Sequence, residues 1–499
     1  MSRQIAVTLV ALAVLIGATL AADSVVAALV EPTTEFSEDV EVNSGTWYCM
    51  PLTSEGQTAI LSIAAVGDEA SQVSVEQFAG GESGFAPTEQ LEPNAIHEVE
   101  IEGAEQPPAA VVRWTGGPVV ASWRVGGEQR LSAPCSQNPA PRWMVSGAQT
   151  TVGSSARLLL FNPFDGDAVV RVSFATPEGR VNLVSSENVS VPARQVVALS
   201  LNELQPEQPD LGVLVEVEAG RVVATGLQNF APPDLPDIEL DGVEPATDPN
   251  APEGRTVLPA TAVDATTVGL AYASSGETTT SWVTLLNPNT QPARITVGVS
   301  DAIAGAAINE EVVVGPESVA RVNLDGLSSA PDFGVTLTSN NDVSIVANGF
   351  QAITGETKGV AAAEGIPEID VTNAAPVAPE GSAPEIALFN PGDAPVTATI
   401  SVGSQTPAEW TAIELAPGTM RLLPFEDAGV DAGGPVEASA NEPIYATLRL
   451  SSDDDRAQGM VTMPLIPANA WQGSSQAMVP ERDRMLSTRA VDFPAQQSP

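Results

Sequence analysis

The chain has 499 residues, of which 43% are hydrophobic and only 4% aromatic, with 41 glycines, 42 prolines and a formal net charge of −43. That apolar content excludes a wholly disordered chain, the length allows several domains, and the low aromatic content suits thin β layers better than one large core. The negative field excludes nucleic acid and anionic bilayer surfaces as partners. One histidine and two cysteines exclude a cysteine- or histidine-rich metal centre, and no cofactor is expected.

After Arg3, residues 5–22 form an uncharged apolar run, and the apolar character resumes over 25–30. Residues 1–30 therefore read as a signal peptide or a membrane anchor, and both exclude the rest of the chain from the cytoplasm. This segment is the only expected membrane contact.

Beyond it, residues 31–135 contain Trp47-Tyr48-Cys49 and alternating stretches at 58–65, 71–78, 96–101, 109–114 and 119–125, with Gly116-Gly117-Pro118 marking a hairpin between the last two. His97 is expected on the polar face of its strand.

A stretch then appears that repeats. Leu158-Leu-Leu-Phe-Asn162-Pro163 leads into 168–174, Trp282-Val-Thr-Leu-Leu-Asn287-Pro288 into 293–299, and Ile386-Ala-Leu-Phe-Asn390-Pro391 into 395–402. Apolar residues alternating with polar ones on both sides of an Asn-Pro break predict two half-buried strands joined by a tight, hairpin-like corner. The asparagine side chains are expected to bond backbone groups of the turn. A Pro-initiated strand follows each corner, at 191–199, 315–322 and 416–423, and then a closing hairpin, as at 212–217 with 221–226. In the first region Ala65-Val66-Gly67-Asp68 stands where the corner would be.

By subtraction, Asn162 to Asn287 is 125 residues and Asn287 to Asn390 is 103. Units of roughly 100 residues with six or seven short strands predict an all-β chain of tandem immunoglobulin-like β-sandwiches, about four of them, the first divergent. The predicted organisation is copy 1 over 31–135, copy 2 over 136–232, an acidic Pro-rich linker over 233–254, copy 3 over 255–365, copy 4 over 366–467 and a loosely ordered tail over 468–499. Segments 231–245 and 374–379 read as semi-rigid spacers.

No GxSxG, Walker, GxGxxG or HExxH pattern occurs, so no enzyme is expected. Asp453-Asp-Asp455 and the acids of 234–244 lack calcium-loop spacing. Trp47, Trp114, Trp123 and Trp143 lie on alternating strands, as core packing would place them. Cys49 and Cys135 bracket copy 1 without CxxC spacing, so outside the cytoplasm a structural disulfide is expected, its loss melting copy 1 alone.

Trp47-Tyr-Cys49, Cys135, Arg142-Trp143 and the stretch from Leu158 to Pro163 together resemble an exported actinobacterial family, domain of unknown function family 5719, over about 47–467. The resemblance implies an N-terminal signal or anchor and a cell-envelope location, and it brings no catalytic residues. The expected function is a non-enzymatic spacer or protein-interaction scaffold of the envelope, with an envelope protein as partner. The alternative is a cell-wall carbohydrate-binding protein, with a glycan as partner.

Overall fold

The computed structural model of the protein describes residues 43–126, 130–230, 252–301, 311–354, 358–367, 369–376, 383–430, 433–451 and 461–468. The predicted signal or anchor, Asp453–Asp455, most of the acidic linker and nearly all of the tail lie outside them.

The regular structure of the described residues is nearly all β, and the expected tandem sandwiches are present. In the second copy one sheet has the order Gly179–Asn182, Ala168–Thr176, Leu211–Ala219, Arg142–Ala148, Ala260–Thr261. The other has the order Gln195–Ser200, Ser154–Asn162, Val223–Phe230, Gly254–Leu258. We call these the leading and trailing sheets. The third copy repeats the order, with Thr267–Ser274, Ala293–Val299 and Asp332–Ser339 in its leading sheet and Thr279–Asn287, Val346–Ile353 and Gly359–Glu364 in its trailing sheet. So does the divergent first copy, in which Ser44–Cys49, Ala109–Gly116 and Ser71–Ala79 face Ile96–Glu102, Thr58–Ala65, Val119–Val125 and Leu131–Pro134 across the core. In the fourth copy the long strand Pro435–Ser451 serves both sheets, pairing with Asp370–Pro376 by its first half and with Ala383–Phe389 by its second.

Three connections differ from expectation. The strands flanking each Asn-Pro corner are not paired with each other: Ser154–Asn162 is trailing and Ala168–Thr176 leading, so the corner is an arch between sheets. The closing pair 211–219 and 223–230 divides in the same way, as do 109–116 and 119–125. Alternation shows only that each strand has one apolar face, and two strands facing each other across a core satisfy it as well as two side by side.

Two boundaries also move. Residues 254–261, assigned by the sequence to the linker and third copy, are hydrogen-bonded to the second, with Gly226 opposite Leu258 and Met144 opposite Thr261. Ala374, Ala375 and Pro376 of an expected spacer end a strand of the fourth copy. His97 stands opposite Ile63, on the core-facing side of its edge strand and half-buried, because Ile96 and Glu98 take the other face.

The corner asparagines are buried, at 0%, 0% and 1% exposure for Asn162, Asn287 and Asn390, and make one pattern three times. Asn287 Nδ2 donates to the carbonyls of Gln291 at 2.7 Å, Gly315 at 2.8 Å and Val314 at 3.2 Å, while its Oδ1 accepts from Asn289 N at 3.0 Å. Asn162 and Asn390 bond Gly166 and Ala394 likewise, and accept from Phe164 N and Gly392 N. Pro163, Pro288 and Pro391 lack an N–H, so the asparagine Oδ1 takes the next donor in the chain and closes the arch.

The residue before each asparagine points out of its own sandwich into the previous copy. Phe161 meets Phe78 of the first copy at 5.4 Å between ring centroids. Leu286 packs with Met144 and Leu214 of the second, and Phe389 with Ala271 of the third. Small residues make room for these side chains. A Cβ on Gly212 would lie 2.7 Å from Leu286, one on Gly334 would lie 2.4 Å from Phe389, and one on Gly269 would lie 2.1 Å from the Tyr445 ring. Thus each leading sheet packs on the trailing sheet of the next copy.

The fourth copy completes the circuit. Its strand Asp370–Pro376 lies against Thr58–Ala65 and Val119–Val125 of the first, where Ala64, opposite Val120, holds the position that Phe161, opposite Val223, has in the second. Ala374 and Ile466 join the same apolar core as the first-copy residues Leu61 and Trp123. Four sandwiches thus close into a ring. That core also runs through the second copy, so the two copies share apolar packing.

Replacing Asn287 by Ala strands several buried backbone groups at once. We expect the variant to lose about 1–3 kcal/mol, measured by urea denaturation, with far-ultraviolet circular dichroism unchanged below the transition.

Candidate functional site: the hub cavity

Each trailing sheet ends in an edge strand near the ring axis: Leu131–Pro134, Gly254–Leu258, Gly359–Glu364 and Val461–Pro464. These four contact one another in cyclic order. After each, the chain crosses to the leading sheet of the same copy: Ser136 bridges Tyr48, Ala260 pairs with Val145, Ile366 bridges Gly269, and Ile466 pairs with Ala374. Pro134, Pro259, Pro367 and Pro464 mark the crossings, where a residue without an N–H costs no ladder bond.

The crossings surround a cavity of about 380 Å³. Trp47, Trp123 and Trp143 line it, together with the prolines and short aliphatic side chains. Trp47 and Trp143 hold equivalent places on the first strands of their copies, and each indole N–H donates to a backbone carbonyl, of Val119 and Val222 respectively, at 2.8 Å. Those donors are committed to the scaffold, and the rings offer the cavity mainly apolar surface. Trp114 is buried within the first copy.

Cys49 and Cys135 form the expected disulfide, and no free cysteine is present. It ties the first strand of copy 1 to its crossing, beside the hydrogen bonds between Tyr48 and Ser136, and Cys135 lines the cavity. The asparagine corners lie elsewhere, at the arches, and none lines the cavity.

Glu364 is the one charged residue among the described lining residues. It ends the third edge strand, half-buried, and burial pushes its carboxyl from the ordinary 4.5 up to about 7, against the lowering effect of a hydrogen bond with Thr261. No motif or spacing marks it out among the 63 acidic residues of the chain. Among the described residues no group of three or more His, Cys, Asp or Glu side chains could hold a metal ion, and no helix is long and apolar enough to cross a membrane.

Fold and hub together define a class: an all-β protein of tandem sandwiches closed into a ring about an aromatic-lined cavity. The family of unknown function DUF5719 matches residues 126–280 and 269–497, and the chain belongs to that family. No curated protein matches the chain. Among solved structures, the crystal structure of Thermotoga maritima 1070 is similar at 19% identity, over 19% of this chain and 84% of that one, with a TM-score of 0.17, a likeness that carries no argument here.

Two measurements check this description. Thiol titration of denatured, unreduced protein should find no reactive cysteine, and Cys49→Ser should lower stability by roughly 2–4 kcal/mol, since the bond closes a loop of 86 residues. For Glu364 the folded value lies above the unfolded one, so the carboxyl costs nothing below about pH 4.5, where both states are protonated, and costs progressively more as pH rises to about 7. Glu364→Gln should therefore match the parent at pH 4 and exceed it at pH 8, by on the order of 2 kcal/mol after allowance for the carboxyl's partial exposure, read from urea midpoints across that range.

Proposed function

We propose that this is a non-enzymatic protein of the cell envelope, exported through its N-terminal apolar segment and acting as a protein-interaction scaffold. The observation that carries the reading is the closed ring. Four copies joined through shared apolar cores make one short, stiff body, which suits the presentation of loops and sheet edges more than the bridging of a distance. The disulfide supports a compartment outside the reducing cytoplasm. The charge of −43 supports a protein partner with cationic surface over any polyanion. The six described tryptophans are all buried, so no observation favours the glycan-binding alternative.

Alkaline phosphatase fused after residue 40 should be active, and photo-crosslinking residues placed at the exposed positions Phe85, Val184 and Val313 should capture a discrete envelope protein in cells. An inactive phosphatase with an active cytoplasmic reporter at the same point would overturn the export. Absence of any discrete adduct from all three positions would overturn the scaffold role.

A further inference from the structure

We propose that the hub cavity is a binding site for a small organic cation, an amine or quaternary ammonium on an apolar body, with the charge held against Glu364 and the body against the aromatic and proline wall. The inference is independent of the scaffold reading, because it concerns the inside of the ring and not its surface.

Three observations lead to it. The first is the contrast in packing. At the seams the copies approach until a single Cβ on Gly212, Gly269 or Gly334 would collide with a neighbour's side chain, yet at the hub the same four copies leave about 380 Å³, within the size range of small-molecule sites of roughly 300–1,000 Å³. The cavity also reaches solvent, since Asn138 and Val263 line it and are exposed.

The second is the lining. Aromatic faces carry a negative quadrupole and attract cations, most strongly where water is excluded. Tyr48, half-buried, supplies such a ring, and Trp47, Trp123 and Trp143, at 2%, 3% and 4% exposure, pack behind the same wall. The indole N–H groups of Trp47 and Trp143 are already spent on Val119 and Val222, so these two are poor donors to a sugar or an anion.

The third is Glu364. A carboxylate half-buried in an aromatic and proline-rich hollow lowers stability when ionised, and Thr261 is the one neighbour that offsets this. A cation in the cavity would supply the counter-charge that the described lining lacks, since those residues include no lysine, arginine or histidine. The long-range field of a chain with charge −43 favours entry of a cation over a neutral or anionic competitor of the same shape.

The test uses the full chain, titrated calorimetrically at pH 8 with 2-phenylethylammonium and with its uncharged counterpart 2-phenylethanol. The ammonium should bind at least about tenfold more tightly than the alcohol, and should raise the melting temperature. Glu364→Gln should remove that preference and leave the alcohol's weak affinity where it was. Because this substitution removes a buried charge, it is expected to fold, and its own melting curve verifies that. A second variant, Trp123→Leu, should weaken both probes while preserving the ratio between them. Equal affinity for the two probes, an ammonium affinity unchanged in Glu364→Gln, or no heat from either probe at millimolar concentration would each overturn the assignment.

Discussion

The strand that enters each Asn-Pro corner is buried on both faces, and the architecture depends on that. Its inward residues, such as Leu158 and Leu160, fill its own sandwich, while its outward ones, Leu159 and Phe161, fill the seam with the previous copy. A strand covered on one side only would leave Phe161, Leu286 and Phe389 in water, each costing about 1.5–3 kcal/mol of burial. The copies are therefore held together by the same strand that organises each of them. The asparagine directly after the outward residue fixes where the strand stops, so arch geometry and seam register are set within two residues.

Much of this was legible in the sequence. The alternation at 58–65, 168–174 and 293–299 located strands, the repeated Asn-Pro marked three of the four copies, and the solitary cysteines named their own bond. What alternation could not convey was which strand lies beside which, because it reports one face of one strand. Hence the arches were read as hairpins, and 254–261 was separated from the sheets it completes across the intervening acidic segment. The ring itself left a signal in Leu158-Leu-Leu-Phe161, where an unbroken apolar run points to a strand covered on both sides, as in fully buried sheets. Gly212 and Gly334, at corresponding places in successive copies, marked the opposing surface. Glu364 left none, because its character comes from burial at the hub beside Thr261, a residue more than 100 positions away in the chain.

Ring closure also resolves a difficulty created by the fold. Each trailing sheet ends in an edge strand with unpaired backbone groups, and open edges of this kind invite pairing with other chains. Here all four edges are turned toward the axis, where they cover one another and where prolines interrupt their ladders. Protection of the edges and enclosure of the cavity are one event. At the hub the copies differ, with a disulfide in the first, a carboxyl in the third and a long shared strand behind the fourth.

The meeting of the first and fourth copies has a mechanical side. The strand Ser44–Cys49 and the segment Ile466–Pro467 border the same cavity, so the two ends of the ring lie together although more than 400 residues separate them in the chain. Tension applied between those ends would bypass the second and third copies and fall on the seam between the fourth and first. At that seam Ala64 stands where the other copies carry Phe or Leu, so we expect it to part before any sandwich unravels. The cross-link at Cys49 anchors the pulled strand to Cys135, so the ring would open at its join while the first sandwich stays whole.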